Sequence, residues 1–294
     1  MVVGAALLYG AGVRATARRG RRRGYRAWPW RWTACFVAGL GACLLATTSS
    51  IAVYDMSLFS AHMLGHLMLV MIGPPLLAAG RPLTLLLHAT GNPAHTRIKR
   101  LLRSRVVSLW FSPPVALAAY AVVIVGTHLT GLMDQIMQRP WAGQVEHLAY
   151  VLVGYQFFTV ALGAEPIRWR LSMPARQLLL ALAMGVDTFT GVVLLQSSRP
   201  IAMGGGTPLH VNILDDTHLG GAIMWVGGDG IMAVVMMLIA LEWLHRPEYR
   251  RTTRRSWLER ARRDALDQTE ATDVDSDEQA LDSYNERLRR MAGL

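Results

Sequence analysis

Apolar residues in this chain come in runs of roughly 20, separated by short polar stretches that carry arginine. At 1.5 Å per residue such runs match the ~30 Å hydrocarbon core of a bilayer, so the pattern predicts membrane-crossing helices. Spans are expected at about 32–53, 59–80, 106–129, 144–163, 176–196 and 218–244, with a shorter apolar stretch at 2–13. As a helix that last stretch extends only ~18 Å, so it is either a truncated first span or one that recruits the residues after it. The expected fold class is therefore all-α: a polytopic transmembrane helical bundle of about seven spans, the first one short. Pro74 and Pro75 lie inside the 59–80 run and should bend or break it, and Pro113 and Pro114 should do likewise near the start of 106–129. No Ser-rich or Gly-rich linker divides residues 1–245, which read as one bundle. Residues 246–294 read as a charged tail, basic to about 263 and then acidic, partly disordered. Within it Leu281, Tyr284, Leu288 and Met291 recur at helical spacing and predict a short amphipathic helix, solvated or docked on a partner.

Composition fits this picture, with 52% hydrophobic residues. The net charge of +10 would suggest nucleic acid in a soluble protein, but its placement gives another meaning. Of the 30 Lys and Arg, 28 fall in 14–31, 81–105, 164–176 and the tail after 245, and only Arg139 and Arg199 lie elsewhere. By the positive-inside rule those alternate segments are cytoplasmic, which puts the N-terminus outside and the C-terminus in the cytoplasm. A membrane lipid surface, and no nucleic acid, is the partner implied. The arginines follow the first apolar stretch rather than precede it, which argues against a secretory signal. Cys35 and Cys43 are eight apart within one span, too far for a disulfide along a helix and without thiolate-site spacing, and read as small packing residues.

Topology gives each histidine a depth. His62, His66, His128, His147 and His218 all fall near the external end of four different spans, while His88, His95 and His245 are cytoplasmic and His210 lies in the outer loop 197–217. His62 and His66 are four apart and share one helical face, a ready-made pair of metal ligands. A single interfacial histidine is more often a helix cap, but independent caps have no reason to accumulate on one face of four helices. Imidazoles converging in lipid point to a metal or a heme. Two acids add to this. Asp187 sits near the middle of the sixth span and Asp229 about eleven residues into the seventh; each must pair, ligate or stay protonated, and the histidine layer is the partner expected for Asp187. Asp215 and Asp216 precede His218 and either receive an incoming cation or cap the last helix. Met63, beside the histidine pair, is an auxiliary ligand candidate, while Met133, Met137, Met203 and Met224 are placed near the same side and read mainly as packing. Thioether with imidazole suits Cu(I); imidazole with carboxylate suits Zn or Cu(II). The glycines at 204–206 do not open a helix after a strand, and no serine sits in an elbow motif, so neither a phosphate loop nor a nucleophilic triad is supported.

The spaced motifs Phe59-Ser60-Ala-His62-Met63-Leu-Gly-His66, Gly73-Pro74-Pro75-Leu-Leu, His128-Leu-Thr-Gly131-Leu, Glu146-His147-Leu, Leu-Ser172-Met-Pro174-Ala-Arg176 and Asp216-Thr-His218-Leu-Gly-Gly221-Ala-Ile-Met224-Trp225-Val resemble the CtaG-type cytochrome c oxidase assembly factors of bacteria. The resemblance implies a multi-pass, non-enzymatic protein of the bacterial cytoplasmic (inner) membrane. It would bind copper and deliver it to the copper centre of a heme-copper oxidase, with an oxidase subunit and a copper donor chaperone as partners. The family's motif histidines map onto His62, His66, His128, His147 and His218. On this reading His62 and His66 form the core of the site, His147 and His128 complete it, His218 with Asp216 gates entry, and Asp187 tunes charge from below. The rival readings are a b-type heme electron carrier, a metal-ion transporter, and, more weakly, a zinc-dependent membrane hydrolase.

Overall fold

Prolines and small polar residues set most helix starts. Pro113, Pro140 and Pro174 occupy the first turns of their helices, where the missing N–H costs nothing, and Asn212 accepts from Leu214 N at 3.0 Å to cap the last long helix. A computed structural model describes residues 2–23, 28–130, 132, 139–201, 211–245 and 278–292. It is helical throughout, with no strand among the described residues. The main elements are α1 (Val2–Arg23), α2 (Trp30–Tyr54, bent at Ser49), α3 (Phe59–Ala89), α4 (Pro113–His128), α5 (Pro140–Leu162), α6 (Met173–Leu195), α7 (Ile213–Leu244) and α8 (Glu278–Ala292).

Five helices among the described residues, α2, α3, α5, α6 and α7, are long and apolar enough to cross a bilayer. α4 is apolar but has 16 residues, about 24 Å of helix. The helix expected over 106–129 is in two pieces, Arg105–Trp110 and Pro113–His128. Phe111 and Ser112 break it, because the residue before a proline is disfavoured in the α region. α1 runs through its arginines to Arg23, so the short apolar stretch does extend into the residues after it.

Pro74 and Pro75 have a different effect. α3 passes them without stopping, but a π turn over Met68–Ile72 precedes them, closed by Gly73 N–H on Met68 O. A proline at 74 leaves Val70 O without its usual donor, and the wider turn accommodates the mismatch. α7 carries a second π turn at Ile223–Gly227.

The chain divides into two units, residues 1–236 and 237–294. In the first, α3 is the most enclosed span, with 67% of its apolar window buried against 28% for α2 and 39% for α6. α2 and α5 pack on its Gly73–Ala79 stretch, and the start of α7 packs on Phe59–Leu67. Val37, Val122, Leu152, Phe189 and Val226 face outward, while histidines, acids and hydroxyls fill the interior, as expected where lipid rather than water is the solvent. At the arginine-rich end Glu165 accepts from Leu83 N, Thr84 N and Thr84 Oγ1 at 2.9, 2.9 and 2.7 Å, which caps the Pro82–Ala89 turn of α3. Burial pushes the Glu165 carboxyl above its ordinary value, against the pull of these hydrogen bonds. The second unit holds α8, where Arg290 pairs with Glu286 one turn away at 2.7 Å. Residues 246–277, Met133, Met137, Met203, the glycines at 204–206 and His210 lie outside the described residues.

A candidate metal centre of two histidines and a glutamate

The Phe59–Leu67 stretch of α3 carries His62 and His66 on its buried face, with ring centroids 3.9 Å apart. Glu146, on the second turn of α5, faces both. Its Oε1 lies 3.9 Å from His62 Nε2 and 3.7 Å from His66 Nε2. One donor atom from each of the three residues lies within 4.8 Å of the others, and all three are buried. Ligands of a single ion, each bound at about 2.1 Å, stand roughly 3–4 Å apart, so these atoms need only small closing movements.

The hydrogen bonds around the cluster decide where the protons are. His128 Nδ1 lies 2.7 Å from Ile124 O, and a carbonyl only accepts, so Nδ1 carries the proton and the neutral ring's Nε2 is an acceptor. His66 Nδ1 stands 3.0 Å from that Nε2 and must donate to it. Its own Nε2 is then a bare lone pair. His62 reaches the same state differently, since its Nδ1 donates to Asp55 Oδ1 at 2.8 Å. The two bare nitrogens therefore face the Glu146 carboxyl group with no hydrogen bond among the three. His62 Nε2, His66 Nε2 and Glu146 Oε2 have no hydrogen-bond partner, although buried acceptors are almost always satisfied. A cation held by the three residues would satisfy all of these atoms, and the residues fit one.

Around this centre the supports are polar. The Tyr150 hydroxyl, one turn along α5, donates to Glu146 Oε1 at 2.9 Å and lies 2.7 Å from Thr127 Oγ1. Asp55, in the turn after α2, also sets its other oxygen 3.7 Å from His147 Nε2, while His147 Nδ1 has no hydrogen-bond partner. Carboxylates behind metal-binding imidazoles fix their orientation and raise their basicity.

The residues expected from sequence thus fall into distinct places. His62 and His66 meet in the centre. His128 touches it but spends its Nε2 on His66, so it orients a ligand rather than offering one. His147 joins through Asp55. His218 does not join: its Nε2 bonds Ser197 O at 2.9 Å. Asp216 caps a helix, though not its own. It accepts from Phe59 N at 2.6 Å and from Ser60 N and Oγ at 3.3 and 2.5 Å, which ties down the start of α3. Asp187 is fully buried and paired with Tyr120, whose hydroxyl lies 3.0 and 2.9 Å from its two oxygens, not with the histidines. Asp229 accepts from Thr188 at 2.8 Å. Met63 is buried and lines a small cavity beside His66 and His128. Glu146 and Asp55 complete the site. Glu146 has a visible signal in the sequence, an acid inside an apolar run next to a histidine, whereas nothing around Asp55 marks it.

Comparison with known proteins completes the picture. The family model for the cytochrome c oxidase caa3 assembly factor (Caa3_CtaG) matches residues 7–246. Uncharacterized proteins of Mycobacterium bovis and Mycobacterium tuberculosis are each 28% identical over 98% of this chain and 42% of their own length. One from Mycobacterium leprae is 27% identical over 98% of this chain and 43% of its own. The chain spans less than half the length of these curated relatives. No solved structure matches it.

Proposed function

The chain belongs to the cytochrome c oxidase caa3 assembly factor family, and from that premise we propose that it binds copper at His62, His66 and Glu146 and delivers it to the copper centre of a cytochrome c oxidase. An oxidase subunit is the acceptor, a copper chaperone the donor, and the bacterial cytoplasmic membrane the location. The observation that carries this reading is the convergence of two imidazole nitrogens and a carboxyl group in a buried place with no hydrogen bond among the three. Copper is cargo here, so it must leave as well as arrive. Three protein ligands with an open position favour exchange, whereas a closed four-ligand cage holds its ion for good. An imidazole and carboxylate set suits Cu(II) and Zn better than Cu(I), which leaves room for ion selection elsewhere in the bundle.

The heme reading loses ground on geometry. Axial ligation sets two imidazoles on opposite faces of a macrocycle, whereas His66 and His128 are in direct hydrogen-bond contact at 3.0 Å and His62 and His66 share one helix face.

His62→Ala combined with His66→Ala is expected to abolish bound metal and oxidase activity in cells while the protein stays at near-normal abundance in the membrane. Metal analysis of the detergent-purified protein, oxidase assays and immunoblotting read the three quantities. Full metal content in the variant overturns the site, and disappearance of the protein assigns the pair a structural role instead.

A further inference from the structure

Below the cluster lies a cavity of about 20 Å³, room for one water-sized occupant, lined by Met63, Met71 and Met224 together with His66, His128 and Asp187. Methionine is the most adaptable of core side chains and normally collapses into any void beside it. Three of them around a persistent space need a reason. The backbone supplies another sign, because Met71 belongs to the π turn of α3 and Met224 to the π turn of α7. Such turns are uncommon, sacrifice regular hydrogen bonding, and gather at functional sites. Met71 and Asp187 also share a neighbour in α7: a methyl group placed on Gly228 would meet Met71 Sδ at 3.4 Å and Asp187 Cβ at 3.7 Å.

We propose that this cavity is a second cation site, formed by the thioethers of Met63, Met71 and Met224 with Asp187 as counter-charge, and selective for a soft monovalent ion such as Cu(I). Thioethers are soft, neutral ligands that favour Cu(I) over Cu(II) or Zn(II). Charge points the same way. A monovalent ion balances the single Asp187 carboxylate, which the Tyr120 hydroxyl holds in place, whereas a divalent ion leaves a net positive charge among apolar side chains. This goes beyond the function proposed above, since the cavity needs neither His62 nor Glu146 and no electron transfer.

The test uses Ag(I), a redox-stable monovalent probe, and Zn(II) on the detergent-purified full chain, with binding followed by calorimetry and the silver environment by X-ray absorption. Wild type is expected to bind Ag(I) with sulfur neighbours and Zn(II) separately. Met71→Leu with Met224→Leu, which keeps volume, should lose the Ag(I) equivalent and keep Zn(II). Gly228→Ala, which keeps every sulfur but sets a methyl group 3.3 Å from Met71 Cε and 3.4 Å from its Sδ, should displace that thioether, weaken Ag(I) binding and keep Zn(II), and guards against a folding defect in the first variant; a monodisperse peak in size exclusion identifies folded protein. His62→Ala with Glu146→Gln, neither of which lines the cavity, should show the converse. Ag(I) binding by the leucine variant at wild-type level, silver without sulfur neighbours, or silver lost only with that pair overturns the proposal. Wild type that binds Ag(I) through sulfur but no Zn(II) or Cu(II) upholds it and overturns the histidine site instead.

Discussion

A single carbonyl organises the centre at the scale of residues. Ile124 O fixes the proton on His128, His128 fixes it on His66, and the bare nitrogen of His66 is the result. Asp55 does the same for His62 in one step, with a charge behind the ring. Asp55→Asn keeps the shape, removes the charge and disturbs the link to His147. Metal affinity measured by chelator competition should fall about 10- to 100-fold, the usual effect of losing a carboxylate behind a ligating imidazole. Unchanged affinity would remove Asp55 from the site. How legible these residues were depended on what their neighbours in sequence could say. The His62 and His66 pair was readable because helical periodicity alone sets i and i+4 on one face. Asp55 is hidden because nothing in the four-residue turn between α2 and α3 announces which ring it will reach. Asp216 was read as a gate or as a cap for its own helix, and only the tertiary structure reveals a start 157 residues earlier as its target.

Elements show where backbone chemistry overrides pattern. Hydropathy located both ends of α2, α5 and α6 to within four residues, since lipid thickness constrains length and composition, but it ended α3 nine residues early and began α7 five residues late. It said nothing of the π turns, because one extra residue in a helix leaves no trace in an apolar run. The proline pair was visible, but its effect was not: at 113 the helix is interrupted just before the ring, while at 74 it widens and continues. The freed carbonyl of Val70 explains a glycine on the facing helix. A Cβ on Gly154 would sit 2.6 Å from Val70 O and 2.8 Å from Pro74 Cγ, closer than any packing tolerates. Gly154→Ala should therefore cost about 1–3 kcal/mol by overpacking, read as a lowered unfolding temperature in detergent. Gly126→Ala, where nothing lies within 4 Å, should leave that temperature unchanged or raise it. Equal effects of the two substitutions would rule out a close approach at Gly154.

At the scale of the whole chain, the distribution of charge along the sequence predicts how the protein sits in the membrane. With 28 of 30 Lys and Arg on alternate segments, the positive-inside rule predicts an external N-terminus and a cytoplasmic C-terminus. Single cysteines introduced as Arg139→Cys and Arg168→Cys test it in intact cells with a membrane-impermeant thiol reagent. The native Cys35 and Cys43 lie within a span, and Cys43 is buried, so background labelling should be low. The cysteine at 139 should react from outside, and that at 168 only after permeabilisation. The reverse order would invert the topology and carry the metal centre to the cytoplasmic face. The bond from Asp216 back to the start of α3 sets a timetable for biogenesis. α3 enters the membrane with its first amides open, and their acceptor is translated 157 residues afterwards, roughly 8–30 s later at ordinary ribosomal speed. On the proposed function, copper would meet a finished centre only after Asp216 has been made, which would confine loading to a chain that has reached α7.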